Sequence, residues 1–211
     1  MNCLVLLRHG ESLYNAENRF TGWTNIDLSP KGKDEARMAG ELFLAHGFIF
    51  DAVFSSVLIR AIRTADIVSW IMRIKGTDRH FPLPSLTCNE ALNERHYGIL
   101  QGEDKDAIAK QYGKELTHAW RRSYDAAPPS GESLKNVAER TIPYFQKHIE
   151  PLIWEGKNVL IVAHHHSLRS VVMHLDTMDN ETIAHFEIQT GKSLVYEFNV
   201  QRALVGKHFL S

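Results

Sequence analysis

Two cysteines in 211 residues, Cys3 and Cys88, are too few and too far apart for a disulfide framework or a metal-binding spacing. They read as reduced structural thiols, as a reducing compartment would keep them. Charge of one sign is also missing: Lys+Arg 24 against Asp+Glu 25 leaves a formal net charge of -1. Without a global basic field or a basic block, nothing argues for nucleic acid or a membrane surface as partner, and any anion recognition has to be local. No apolar run reaches the length of a membrane span, and the start of the chain has neither the cationic region nor the apolar stretch of a secretory leader. A soluble, cytoplasmic protein is expected. Internal repeats, low-complexity tracts and linkers are absent too. The chain is therefore read as one domain, residues 1–211, whose 44% hydrophobic content suffices for a sizeable core.

What is present begins at once. Leu4 to Leu7 form a continuous apolar run, the pattern of a strand buried on both faces, and it stops at Arg8-His9-Gly10-Glu11-Ser12. Lys157 to Ala163 repeats that grammar and ends in His164-His165-His166-Ser167 ahead of a helix from Leu168 to Leu175. Between them, Ser29-Pro30 opens a helix that Gly47 stops, Asp51 to Ser56 reads as a second strand, and a helix follows from about Val57 to Ile74 with Arg60 and Arg63 in its first turns. The stretch from Leu13 to Leu28 reads as a long ordered loop, Gly76 to Pro84 as irregular, and Ser85 to Cys88 as a third strand. A polar helix is expected from about Asp104 to Tyr112, then a lid or insertion from His118 to Gly131. A helix over Ser133 to Trp154 should bend near Pro143 and Pro151, and the tail from Ala184 to Leu210 should form a closing hairpin at the sheet edge. Alternating strands and helices predict an α/β domain with a mainly parallel sheet flanked by helices.

His9 and His164 thus lie at the carboxyl ends of two apolar strands, where open parallel sheets bind ligands. If the strands are neighbours, the imidazoles face each other across one crevice. Arg8, Arg60, Lys105, Arg121 and Arg122 are cations from separate segments of a nearly neutral chain. Taken alone, Lys105 or Arg63 would read as surface charge.

At these residues the sequence resembles the histidine phosphatase superfamily and, within it, the cofactor-dependent phosphoglycerate mutases. The match runs through Arg8-His9-Gly10-Glu11-Ser12 with Asn15, Phe20-Thr21-Gly22-Trp23, Arg60, Leu92-Asn93-Glu94-Arg95-His96-Tyr97-Gly98, Lys105, Trp120-Arg121-Arg122-Ser123-Tyr124-Asp125 and Ala163-His164 with Ser167-Leu168-Arg169. The Arg-His-Gly motif indicates only the superfamily; the Glu-Arg-His-Tyr and Arg-Arg-Ser-Tyr-Asp segments point to the mutase branch.

The resemblance implies a three-layer α/β fold and an isomerase that moves a phosphoryl group between the oxygens of a small phosphorylated substrate, 3-phosphoglycerate or 2-phosphoglycerate, primed by 2,3-bisphosphoglycerate. It implies His9 as nucleophile, with Arg8, Arg60 and His164 around the transferring group and no metal. Glu94 would shuttle a proton, a role that calls for a raised pKa. Asn15, Thr21, Gly22, Arg95, Tyr97, Lys105, Arg121 and Arg122 would grip the groups not transferred, together with Arg8, Arg60 and Glu94. The family usually has Gly-Asn directly after the second histidine, and this chain has His165-His166, so those two binding roles are not carried over. The remaining readings are a phosphatase of the same superfamily acting on another small phosphoester, and a catalytically silent phospho-ligand binder; a homo-oligomer is compatible with each.

Overall fold

The computed structural model describes residues 1–75 and 84–211; the irregular stretch expected from Gly76 to Pro84 falls, but for Pro84, outside them. In chain order the elements are β1 (Asn2–Arg8), α1 (Leu13–Ala16), α2 (Pro30–Ala45), β2 (Ala52–Ser55), α3 (Ile59–Lys75) and β3 (Leu86–Cys88). Two 3₁₀ turns, Glu90–Leu92 and Gly98–Leu100, lead to α4 (Lys105–Tyr112), α5 (Lys114–Arg122) and α6 (Leu134–Tyr144). A π-turn, Phe145–Ile149, joins α6 to α7 (Glu150–Trp154), and β4 (Val159–Ala163), α8 (His165–Asp176), α9 (Asn180–His185), β5 (Ser193–Phe198) and β6 (Leu204–Phe209) complete the chain.

The six strands form one sheet in the order β3-β2-β4-β1-β5-β6. Pairings β3·β2, β2·β4 and β4·β1 are parallel, while β1·β5 and β5·β6 are antiparallel, so the expected closing hairpin lies at the sheet edge. β1 and β4 are therefore direct neighbours, in the register Leu4↔Val159 through Arg8↔Ala163. That register brings their carboxyl ends level.

Alternation of side chains across the pleat explains why both strands read as unbroken apolar runs. Leu4, Leu6 and Ile161 pack with Leu134 of α6 and Leu168 and Val171 of α8 on one face. Val5, Leu7, Leu160 and Val162 pack with Ala39 and Phe43 of α2 and Val68 of α3 on the other. These are the three layers. Each fully buried leucine or valine contributes about 1.5–3 kcal/mol, and Leu6→Ala should cost about 2–5 kcal/mol because the layers on both sides hold the void open.

Local chemistry fixes the helix starts. The Ser29 hydroxyl caps α2 by accepting from the Gly32 amide at 3.0 Å and donates to Glu11 Oε1 at 2.8 Å, which ties the helix to the loop after β1. The expected bends of the long helix appear as the π-turn between Pro143 and Pro151, each of which removes an amide donor from the helical ladder. Three readings need correction. The Leu13 to Leu28 loop contains one helical turn capped by Ser12; the expected insertion from His118 begins inside α5; and α9 was not foreseen. α5 starts after Gly113, at φ +89°, and buries only Thr117 and Trp120, so its apolar signal is too thin to read as a helix. Cys3 is buried and Cys88 exposed, and both are free. Among the described residues no helix is long and apolar enough to cross a membrane.

Candidate active site

The tip of β1 carries His9, 2% exposed. Its backbone amide donates to Ala163 O on β4 at 3.0 Å, so the sheet ladder itself places the ring. His9 Nδ1 lies 2.6 Å from Gly10 O. A carbonyl only accepts, so Nδ1 carries the proton and Nε2 presents a lone pair. Burial, then Arg60 and Arg8, holds the imidazole well below its ordinary pKa, hence neutral. A neutral ring with a free Nε2 is what nucleophilic attack on phosphorus requires. Gly10 makes this placement possible. A Cβ there would come within 2.1 Å of Gly32 O, so only glycine lets β1's exit cross the start of α2.

The tip of β4 carries His164, fully buried, with its ring centroid 4.9 Å from that of His9. Its Nε2 lies 2.7 Å from Ser56 Oγ just past β2. That hydroxyl already accepts from the Leu58 amide at 3.2 Å, and among the described residues its own proton has no other acceptor. The hydroxyl therefore donates to His164 Nε2, which leaves Nδ1–H as a donor with no protein partner among the described residues. Burial, Arg60 and His9 keep this ring neutral too.

Two guanidiniums flank the pair. Arg60, on the first turn of α3, is fully buried and donates to Gly22 O at 2.7 Å and Thr24 O at 3.0 Å, while its Nε has no partner. Burial pulls its pKa down to about 10. Arg8 is half-buried, donates to Ile188 O at 2.7 Å, and also keeps an unpartnered Nε. Removing such cations from water costs several kcal/mol each, a cost that an entering dianion offsets. Gly22, at φ +54°, can hold its carbonyl against Arg60 because it has no Cβ; one would meet Gln101 Oε1 at 2.1 Å.

Above this floor lies a cavity of about 220 Å³. Its walls include Arg8, His9, Asn15, Thr21, Gly22, Arg60, Glu94, Tyr97, Lys105, Arg121 and Arg122, so eleven of the expected residues converge on one space. Lys105, from the start of α4, is pulled down to about 8 by burial and then by Arg121 and Arg8, a measure of how positive this space is. Arg121 and Arg122 end α5, and Arg122 also pairs with Glu187. His164 sits beneath the wall, against His9. Arg95 departs from expectation: it is fully buried and not on the wall. Its guanidinium lies 4.7 Å from the Tyr97 ring centroid and donates to the Tyr97 hydroxyl at 3.1 Å, so it braces a wall residue from behind, while its Nε and Nη1 have no partner among the described residues.

Glu94 is the second correction. Burial pushes its carboxyl up, but the N–H donors of His166 and the Arg95 amide hold its Oε1 in the ionised form, and the net position is well below the ordinary value. In the free pocket Glu94 is a carboxylate, a proton acceptor. The His166 donors sit 72 residues away at the start of α8, beyond what its neighbours in sequence reveal. Arg19, Phe20, His165, His166 and Glu187 also line the cavity and were not anticipated there. His165-His166 was legible only as a departure from the family pattern.

Donor atoms of His9, Glu94 and His164 all lie within 4.8 Å of one another, close enough to reach a single ion. Two guanidiniums at the same spot oppose a cation there and favour an anion. The arrangement can accept a phosphoryl group on His9 Nε2, donate to its oxygens from His164 Nδ1–H, Arg8 and Arg60, and take a proton on Glu94.

Residues 4–208 match the model of the histidine phosphatase superfamily (branch 1). The chain is 46% identical over 94% of its length to a 2,3-bisphosphoglycerate-dependent phosphoglycerate mutase of Cytophaga hutchinsonii, covering 89% of that protein. It is likewise 46% identical over 99% of its length to a protein of the same name from Parvibaculum lavamentivorans, covering 96% of it. Among solved structures, the alpha-ribazole phosphatase from Shigella flexneri superposes with a TM-score of 0.77 at 25% identity, covering 99% of this chain and 96% of that one.

Proposed function

Because the chain belongs to branch 1 of the histidine phosphatase superfamily, we propose that it interconverts 3-phosphoglycerate and 2-phosphoglycerate through a phosphohistidine at His9, primed by 2,3-bisphosphoglycerate. The observation that carries this reading is the single cavity in which the His9 nucleophile shares walls with Lys105, Arg121 and Arg122. A substrate with a carboxylate and a phosphate, and a bisphosphate in mid-cycle, needs a second set of cations away from the reacting phosphorus. A simple phosphatase has less need of them.

In the proposed cycle the primer leaves its phosphoryl group on His9 Nε2. The hydroxyl of bound phosphoglycerate then attacks that phosphorus: the P–N bond breaks, the new P–O bond forms, and the hydroxyl proton passes to Glu94. The negative charge of the bound groups raises the pKa of Glu94 from its depressed value in the free pocket. It can then return the proton to the other ester oxygen when that phosphoryl group moves to His9. His164, Arg8 and Arg60 carry the charge that spreads over the equatorial oxygens. No metal enters, since these fixed cations supply the positive charge. The 46% identical relatives named as mutases support the reading.

The same assignment makes the protein a single-domain, cytoplasmic enzyme of glycolysis and gluconeogenesis. Its decisive experiment is an assay of 3-phosphoglycerate conversion with and without the bisphosphate primer and with chelator. We expect primer-dependent isomerisation that chelator leaves unchanged. Release of inorganic phosphate faster than isomerisation would replace the mutase by a phosphatase, which is the name borne by the Shigella flexneri neighbour.

A further inference from the structure

The chemistry proposed above gives His166 no part, yet its ring is buried and committed. His166 is 3% exposed and sits in the first turn of α8, where backbone amides have no helical acceptor. Its amide donates to Glu94 Oε1 at 3.2 Å and its Nδ1 to the same oxygen at 2.8 Å. The Arg95 amide adds a third bond to Oε1 at 2.8 Å. A carboxylate oxygen only accepts, so Nδ1 carries the proton, and Nε2 is left with a 3.5 Å approach to Arg121 O. All three bonds fall on Oε1, and among the described residues Oε2 accepts none. His165 packs edge-on against His166, with ring centroids 4.9 Å apart at 89°, which restricts the His166 ring to this orientation.

We propose that His166 is a positioning residue that clamps Oε1 of Glu94 and so aims Oε2 into the cavity as the proton acceptor of the transfer step. The proposal rests on the reading of Glu94 as proton shuttle. It gives a use to one of the two residues that stand where the family usually has Gly-Asn: the imidazole takes hold of the shuttle, and a neutral clamp can do so without adding to the positive charge of the pocket. In the step concerned, the bond between phosphorus and His9 Nε2 breaks and its electron pair returns to the ring. The acceptor hydroxyl forms the new P–O bond, and its proton goes to Glu94 Oε2.

The test separates loading of His9 from transfer. 4-Nitrophenyl phosphate loads His9 with a leaving phenolate that needs little protonation, so the burst of nitrophenolate reports the nucleophile alone. Transfer is then followed to 3-phosphoglycerate or to water. For His166→Leu we expect a burst rate within about threefold of wild type. Transfer should slow by about 10- to 100-fold, part of the 10²- to 10⁴-fold that a general base supplies. Its acid limb should also move to higher pH, because a carboxylate that has lost a donor protonates more readily. Arg8, His9, Arg60, His164, His165 and Arg169, which also face Glu94, are unchanged in the variant. His166→Asn, with one side-chain donor kept, should recover part of the loss. A burst slowed as much as transfer would make His166 merely structural, and unimpaired transfer would remove the clamp; either overturns the proposal. Should wild-type protein pass its phosphoryl group only to water, the mutase reading falls while His166 is still judged on that transfer.

Discussion

The two strand tips, His9 on β1 and His164 on β4, look alike in sequence and end up complementary. Both rings carry their proton on Nδ1. His9 donates that N–H to the carbonyl of Gly10 and turns its lone pair to the cavity, whereas His164 accepts a hydrogen bond from the Ser56 hydroxyl on Nε2 and keeps its own N–H free. One tip is left with a free lone pair, the other with a free N–H. The difference comes from which nitrogen is already occupied, and a neighbour a few ångströms away decides that. Identical residues at identical places in a repeated strand-turn-helix grammar therefore need not share a role.

The largest effect that could break this contrast is at His9, the proposed nucleophile. His9→Ala should lower phosphoryl transfer by at least about 10⁴-fold while the protein stays folded by circular dichroism. Appreciable turnover in the folded variant would move the nucleophile elsewhere, with His164 the nearest candidate. His164→Ala should cost about 10²- to 10³-fold in kcat, the usual loss for one donor to a developing oxyanion, and should still form phosphohistidine, detectable as an acid-labile adduct. If the adduct disappears in His164→Ala and persists in His9→Ala, the two roles are reversed.

Stability gives the next measure. His9, His164, His165 and His166 are all held below the ordinary value of 6.5, by burial first in each case. The unfolded chain regains ordinary histidines, so below pH 6.5 it binds more protons than the folded one. Stability is then complete above 6.5 and lost as pH falls, by up to about 1.4 kcal/mol per pH unit for each histidine. Denaturant titrations at pH 7, 6 and 5 should show this slope, and His9→Asn should flatten it by one histidine's share. The smallest expected effect sharpens the contrast most. Ser56→Ala removes only the hydroxyl that sets the His164 proton, and should lower kcat by about threefold to tenfold with KM little changed, in line with a net hydrogen bond of about 0.5–1.5 kcal/mol. A change confined to KM would mean that Ser56 does not set the donor.

The parts of this contrast that could be read from the chain were those written in contiguous residues. Leu4 to Leu7 and Val159 to Ala163 are apolar throughout because both faces are covered, and that pattern alone placed two histidines at strand ends. Which strands adjoin is a property of topology; the β1·β4 pairing closes a loop of over 150 residues that no local signal records. Convergence of Arg8, Arg60, Lys105, Arg121 and Arg122 was expected from family likeness, since spacing cannot bring four segments together. What went unread depended on side-chain direction. Arg95 and Tyr97 are two residues apart, and only the fold shows that one faces the cavity and the other supports it from behind. The low position of Glu94 likewise depends on donors supplied from α8.

The crossing of Gly10 over Gly32 has a consequence for anyone mapping this molecule by substitution. Neither glycine lies on the cavity wall, yet a single added methyl at Gly10 would run into a main-chain oxygen that cannot swing aside. The displaced backbone is the one that carries the reactive ring, so such a change would look like damage to chemistry when read as a rate and like a packing fault when read as a melting curve. A survey scored on turnover alone would mistake this silent junction for part of the reacting machinery.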